Sequence, residues 1–107
     1  MKRLLACTLA VLALNALAEE LPVFKLEVRD GVFAPTRLEV PAGTKFKIEL
    51  HNTGSSAIEF ESKPLRKEKV LGPGAQSFVV IHGLEPGEYP FFDEFHQDIG
   101  QGVIVAR

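Results

Sequence analysis

The sequence predicts an all-β domain, a Greek-key β-sandwich of seven to eight strands with antiparallel or mixed pairing. Apolar residues recur at every second position over short segments, which is the pattern of half-buried strands. Turn-forming residues separate these segments at intervals of about ten residues, and no helical stripe is visible beyond the N-terminal segment. A chain of 107 residues holds one such domain at most.

Eight short segments carry the strand pattern. They cover residues 24–28, 38–40, 46–50, 58–60, 70–71, 78–81, 88–92 and 103–106. Glycine, proline and asparagine separate them, as in Pro41-Ala42-Gly43 and Gly72-Pro73-Gly74. The continuous apolar run at 78–81 predicts a central strand, because both faces of such a strand would be covered.

The first eighteen residues have the layout of a cleaved secretory signal peptide. A basic start at Lys2 and Arg3 precedes an apolar run, and Ala16-Leu17-Ala18 provides small residues at a cleavage site. The prediction is a periplasmic domain formed by residues 19–107. Lipidation at Cys7 is disfavoured because almost no signal would precede the cut. Loss of residues 1–18 removes the only cysteine and the only methionine, so no sulfur ligand remains.

The charge balance of the domain favours cations over nucleic acid. Of the twelve Lys and Arg residues, Lys2 and Arg3 leave with the signal, so ten cations face fourteen carboxylates. The segment 66–69, Arg-Lys-Glu-Lys, is interpreted as a solvated strand face. No serine-hydrolase motif and no phosphate-binding glycine loop is present in the sequence.

One acidic cluster carries most of the chemistry in the sequence. Asp93, Glu94 and His96 fall within four residues after an aromatic segment. Like charges at this density repel one another unless a cation or solvent relieves them. Metal binding and a solvated acidic loop are the two interpretations.

The late part of the chain resembles the cupredoxins, small β-sandwich copper proteins. Their late loop reads Cys, two residues, His, four residues, Met, whereas here the same frame reads Asp93, two residues, His96, four residues, Gln101. Tyr89 and Phe91 precede the frame, as in that family. The resemblance implies a cupredoxin-like fold over most of residues 19–107.

The departures from that family exclude a blue, cysteine-ligated copper site. Asp93 stands in place of the thiolate, Gln101 in place of the axial thioether, and no histidine lies near Ser56, where the family has its first histidine ligand. Oxygen and imidazole donors favour Cu(II) over Cu(I), or suit iron. Copper as Cu(II), or iron, in a non-blue site is therefore the expected cofactor.

The domain resembles one subgroup more closely, the cupredoxin-like periplasmic proteins that accompany bacterial ferrous-iron uptake permeases. The segments that carry this resemblance are 59–63, 65–70, 73–74 and 91–96. It implies a role in iron uptake, with an iron permease or other membrane transport components as partners. A ferroxidase-type reaction, with copper oxidising Fe(II) ahead of transport, is one form of that role, and binding without catalysis is the other.

A second acidic constellation lies on the predicted strand 58–60. Glu59 and Glu61 should point outward on one face, about 7 Å apart, because Ile58 and Phe60 point inward. We expect Glu59 or Glu61 to join the late loop as metal ligands, although a charged outer face is also ordinary for a sheet. The alternative function is a metal-free interaction module that docks a membrane or periplasmic partner.

Overall fold

The computed structural model describes residues 21–107 as nine strands in two sheets, which confirms the predicted all-β sandwich. The strands are β1 (Val23–Arg29), β2 (Val32–Ala34), β3 (Arg37–Val40), β4 (Phe46–Asn52), β5 (Ile58–Ser62), β6 (Lys67–Leu71), β7 (Gln76–Ile81), β8 (Gly87–Asp93) and β9 (Gln101–Ala106). A single 3-10 turn, Glu94–His96, follows β8. The predicted signal peptide at 1–18 lies outside the described residues. Among those residues, no helix has the length and apolar character needed to cross a membrane.

The two sheets have mixed pairing. The first has the order β2-β1-β4-β7 and the second β3-β9-β8-β5-β6. The pairs β1–β4 and β3–β9 are parallel, and the others are antiparallel. The chain passes from the first sheet to the second at the cis peptide Ala34–Pro35. Each sheet therefore contains one parallel pair whose two strands are not consecutive in the sequence.

Four connections meet at one end of the sandwich. They join β1 to β2, β4 to β5, β6 to β7, and β8 to β9. Hydrogen bonds show that three of them are neighbours: Ser55 N–H donates to the Asp30 carboxylate at 3.0 Å, and Ser56 Oγ lies 3.4 Å from Nε2 of His96. We call this end the loop end. Asp93 and His96 lie here.

Three buried phenylalanines pack together in the core next to the loop end. Phe33 of the first sheet packs edge to face on Phe91 of the second, with ring centroids 4.9 Å apart, and Phe91 lies 5.4 Å from Phe60. Such aromatic pairs contribute about 0.5–1.5 kcal/mol beyond the burial of their surface. Phe60 is opposite Asp93 in the β5–β8 ladder. The core therefore fixes the positions of the strands that carry the acidic residues.

The strand pattern differs from the prediction in two places. Strand β2 was not predicted, because three residues are too short to show a period of two. The prediction that 78–81 forms a central strand is wrong: β7 is an edge strand, and Phe78 is 52% exposed. The ammonium of Lys47 lies 5.1 Å from the Phe78 ring centroid, which partly covers this outward apolar side chain.

A buried amide joins two of the loop-end connections. The Asn52 side chain is fully buried and its Nδ2 donates to the carbonyls of Ser56, Leu71 and Gly72 at 2.9–3.1 Å. Its Oδ1 accepts from Gly54 N–H at 3.0 Å. The Asn52 side chain is buried, and its bond to the Leu71 carbonyl is buried while the other three are part-buried. Asn52 therefore joins the β4–β5 and β6–β7 connections to each other.

Replacing Asn52 by leucine should lower the free energy of unfolding by about 3 kcal/mol, because the buried Leu71 carbonyl, two part-buried carbonyls and one part-buried N–H lose their partner. Urea unfolding measures the change. Gln76→Leu is the matched control, since Gln76 is an exposed amide on an edge strand and its loss should cost about 0.5 kcal/mol or less. Equal effects of the two substitutions would contradict this role of Asn52.

Candidate functional site

Asp93 is a fully buried carboxylate at the end of β8, and hydrogen bonds engage both of its oxygens. Oδ1 accepts from the backbone N–H of Glu59 at 2.9 Å and of Phe95 at 3.0 Å. Oδ2 lies 2.7 Å from Nδ1 of His96. Asp93 also caps the 3-10 turn that carries His96. One side chain thus joins the end of β8, the start of β5 and the late loop.

The hydrogen bonds continue from Asp93 across the loop end. Nε2 of His96 lies 3.4 Å from Oγ of Ser56, and Ser56 Oγ donates to Oδ1 of Asp30 at 3.1 Å. The pKa of Asp30 is lowered, first by the backbone N–H of Ser55 and then by the Ser56 hydroxyl. We call Asp93, His96, Ser56 and Asp30 the Asp93 clasp. Both ring nitrogens of His96 have partners within it.

Two glycines leave room for the clasp. Gly31 has φ of +90°, and a Cβ there would lie 2.5 Å from Cβ of His96. A Cβ on Gly100 would lie 2.7 Å from Cβ of Asp93 and 2.6 Å from the Gly31 carbonyl oxygen. The late loop can approach the β1–β2 turn only because neither position carries a side chain.

A second acidic cluster lies on the outer face of β5 and β6. Ligand oxygens of Glu59, Glu61 and Glu68 all lie within 4.8 Å of one another. Glu61 is directly opposite Glu68 in the β5–β6 ladder, which explains their proximity. We call these three residues the acidic face. The outward orientation predicted for Glu59 and Glu61 agrees with the burial of Ile58 and Phe60 beside them.

The electrostatics of the acidic face disfavour three ionised carboxylates. The pKa of Glu59 is raised above its ordinary value, first by partial burial and then by the negative charges of Glu68 and Glu61. Glu94 and Asp93 raise it further, by smaller amounts. A cation bound here would remove this repulsion, and so would a proton.

The remaining predicted ligands lie on the late loop without converging on the acidic face. Glu94 Oε1 accepts from the Gln97 side-chain amide at 3.0 Å. Gln101 is exposed, and its amide donates to the Gln97 carbonyl at 3.4 Å. Within residues 21–107, the group of acidic or histidine side chains close enough to share an ion is the acidic face. The structure therefore brings Asp93 together with His96, and Glu59 together with Glu61.

Three members of these clusters were not predicted from the sequence. Glu68 lay in a segment interpreted as a solvated strand face, and only the β5–β6 register reveals that it is opposite Glu61. Ser56 was placed near the position of the family's first histidine ligand, but its hydrogen bonds to His96 and Asp30 were not predicted. Asp30 lies far from both in the chain, and no local pattern connects it with them.

Comparison with known sequences decides the family. The pattern of the cupredoxin-like domain matches residues 2–106. The chain belongs to the cupredoxin-like domain family. This confirms the family to which the sequence resemblance pointed.

Two relatives of this cupredoxin-like chain differ greatly in length. An uncharacterised protein of Rickettsia prowazekii is 38% identical over 83 residues, which is 78% of this chain and 66% of that protein. The iron uptake system component EfeO of Yersinia pseudotuberculosis is 31% identical over 86 residues, or 77% of this chain and 22% of EfeO. The chain thus spans about two thirds of the first relative and about a fifth of the second.

A solved copper protein shares the fold. Auracyanin A of Chloroflexus aurantiacus, a blue copper protein, superposes with a TM-score of 0.70 at 13% identity, covering 82% of this chain and all of that one. A thiolate copper site does not fit here, because residues 21–107 contain no cysteine and Asp93 stands at the frame position. An ion at His96 would in addition have to displace Ser56 or Asp93 from the ring nitrogens.

Replacing Asp93 by alanine should lower the free energy of unfolding by about 3 kcal/mol, because two part-buried N–H groups and the His96 ring lose their acceptor and the buried side chain leaves a gap. Asp93→Asn keeps one carbonyl oxygen and should cost clearly less. Chemical unfolding of both variants measures the difference. Asp98→Ala is the control, since Asp98 is exposed on the same loop. If Asp93→Ala lowered the free energy of unfolding no more than Asp98→Ala does, the Asp93 clasp would contribute little to stability.

Glu59→Gln should make the metal-free protein more stable than the wild type at neutral pH. The folded-state pKa of Glu59 is raised, so the folded state binds the proton more tightly, and wild-type stability falls as the pH rises through that pKa. Below the ordinary value of 4.5 the two proteins should converge. Unfolding midpoints across the pH range provide the measurement.

Glu27→Gln is the control for this pH series. Glu27 is an exposed carboxylate on β1, in the other sheet. Its curve should follow the wild type, and a Glu59→Gln curve that did the same would contradict the repulsion within the acidic face.

Proposed function

We propose that this cupredoxin-like domain acts in the periplasm as a metal-binding protein that supports ferrous-iron uptake ahead of a membrane permease. The observation that carries the proposal is the acidic face, where three carboxylates from two strands converge within 4.8 Å. The similarity to EfeO, an iron uptake system component, supports iron as the cargo. The predicted signal peptide supports the location.

The spacing of the acidic face suits an oxygen-coordinated ion. Carboxylate oxygens lie about 2.0–2.6 Å from hard divalent ions, so two ligands on opposite sides of one ion are about 4–5 Å apart. The carboxylates of Glu59, Glu61 and Glu68 fall within that span, so small side-chain rotations are enough to close them on an ion. Three protein ligands leave further coordination positions open to water or to another ligand.

The donor type also bears on the oxidation state of the iron. Anionic oxygen ligands stabilise Fe(III) more than Fe(II), because the higher charge gains more from each carboxylate. Fe(II) held by the acidic face therefore loses an electron more readily than Fe(II) in water. The electron would pass to an external acceptor such as dioxygen or Cu(II), and Fe(III) would remain on the carboxylates.

The late loop favours a second candidate function, docking to a membrane or periplasmic partner without a metal. Phe95 is 52% exposed and Ile99 59% exposed, and both lie on the short loop between β8 and β9. Glu94 and Asp98 flank them in the sequence. The Asp93 clasp holds this loop in place through hydrogen bonds alone, so an interaction surface here needs no ion.

Titration calorimetry with Mn(II), and with Fe(II) under anaerobic conditions, tests the metal-binding function. The domain of residues 19–107 should bind one ion with a Kd of about 10 μM or tighter, the range of carboxylate sites that load reversibly. The triple variant Glu59→Gln, Glu61→Gln, Glu68→Gln should lose most of this binding. Glu27→Gln, Glu49→Gln, Glu85→Gln removes the same charge elsewhere and should keep it.

The variant His96→Ala distinguishes the acidic face from the late loop as the metal site. Retained affinity assigns the ion to the acidic face, whereas loss of binding would assign it to Asp93, Glu94, Gln101 and His96. Absence of heat with either metal in the wild type would overturn the metal-binding function and favour the docking function.

A further inference from the structure

A charged concavity adjoins the acidic face at the β5–β6 turn. Its volume is about 330 Å³. It is lined by Glu61, Ser62, Lys63, Arg66, Lys67 and Glu68. Two of these residues, Glu61 and Glu68, belong to the acidic face. The concavity therefore places three cationic side chains next to the carboxylates that would hold the ion.

The opposite charges in this concavity do not pair with each other. Within residues 21–107, the ion pairs between charged side chains are Arg37–Glu39 and Arg107–Glu39, and neither involves the lining of the concavity. The Lys63 ammonium instead lies 5.8 Å from the centroid of the Phe92 ring. All three cationic groups are available to a ligand.

The backbone of the β5–β6 turn places Lys63, Arg66 and Lys67 beside the concavity. Arg66 has φ of +55°, in the left-handed region that residues with side chains rarely adopt. Its N–H donates to the Lys63 carbonyl at 3.1 Å and closes the turn. Lys67 follows directly as the first residue of β6 and is opposite Ser62. Such backbone conformations are uncommon, and here the turn directs three cations toward one concavity.

We propose that the protein binds its metal as a complex with a small multivalent anion, a polycarboxylate or a pyrophosphate. The ion would lie on Glu59, Glu61 and Glu68, and the anion would fill the concavity against Lys63, Arg66 and Lys67. This inference rests on the proposed metal-binding function and specifies the substrate class of the same site.

The arrangement predicts that ion and anion bind cooperatively. An anion alone meets Glu61 and Glu68, which repel it. An ion alone binds the carboxylates but feels the nearby cations as repulsion. A complex of the two satisfies both sets of charges, and the anion occupies coordination positions that three glutamates leave open. Each component should therefore raise the affinity for the other by the same factor.

The test compares a bare ion with a complexed ion in the domain of residues 19–107. The probes are Mn(II) alone, citrate alone, pyrophosphate alone, gallium(III) citrate and gallium(III) pyrophosphate, gallium being a redox-inert substitute for Fe(III). Calorimetry gives the affinities. The variant Lys63→Gln, Arg66→Gln, Lys67→Gln removes the cations of the concavity. Lys25→Gln, Arg29→Gln, Lys45→Gln removes the same exposed charge elsewhere.

The expected changes have opposite signs for the two kinds of probe. Loss of the three cations should weaken the binding of a gallium complex by about tenfold or more, a usual size for coupling between adjacent ligands. The same change should leave Mn(II) binding equal or tighter, because a repulsion is removed. The control variant should keep the affinity for the complexes. The single variant Lys63→Gln should show a smaller loss and serves if the triple variant is unstable.

The outcomes separate the inference from the function on which it rests. Mn(II) binding that depends on Glu59, Glu61 and Glu68, together with complexes that bind the triple cation variant as tightly as the wild type, would overturn the inference alone. Failure of Mn(II) and of both complexes to bind the wild type would overturn the proposed function. A loss for only one of the two complexes would identify that anion as the ligand.

Discussion

The loop end depends on the carboxylate of Asp93. A buried carboxyl group is unfavourable unless hydrogen bonds replace its water, and Asp93 obtains these from two backbone N–H groups and the His96 ring. The donors belong to different parts of the chain, one at the start of β5 and two on the late loop. The cost of burying Asp93 unpaired therefore holds these segments in one arrangement.

The two acidic clusters are separated because strands alternate between their faces. Asp93 points into the sandwich at the end of β8, and Glu59 contributes only its backbone N–H to it. The side chain of Glu59 points to the opposite side and joins Glu61 and Glu68. Glu59 thus contacts both clusters, since its backbone N–H donates to Asp93 and its side chain lies on the acidic face. A proton or an ion on the acidic face changes the charge next to the clasp without breaking any of its hydrogen bonds.

Local patterns in the sequence were sufficient for most of the fold. Alternation located eight of the nine strands, and the frame from Asp93 to His96 located the late loop, because both signals lie within a few neighbouring residues. The missing strand β2 and the edge position of β7 depend on pairing between distant segments, which alternation does not encode. Glu68 was missed for the same reason, since its significance arises from the residue opposite it. Glu59 and Glu61 lie on one strand, and their common face was therefore predictable.

The absence of sulfur around the Asp93 frame has a chemical consequence under the proposed function, in which the protein would meet iron and dioxygen together. Fe(II) reduces dioxygen to superoxide and peroxide, which convert thiolates to sulfenic and sulfinic acids and thioethers to sulfoxides. Residues 21–107 contain neither cysteine nor methionine, so their hydrogen-bonded frame offers peroxide no sulfur to attack. Under the proposed function, a carboxylate at the position of a thiolate would therefore make the domain resistant to the peroxide that iron oxidation produces.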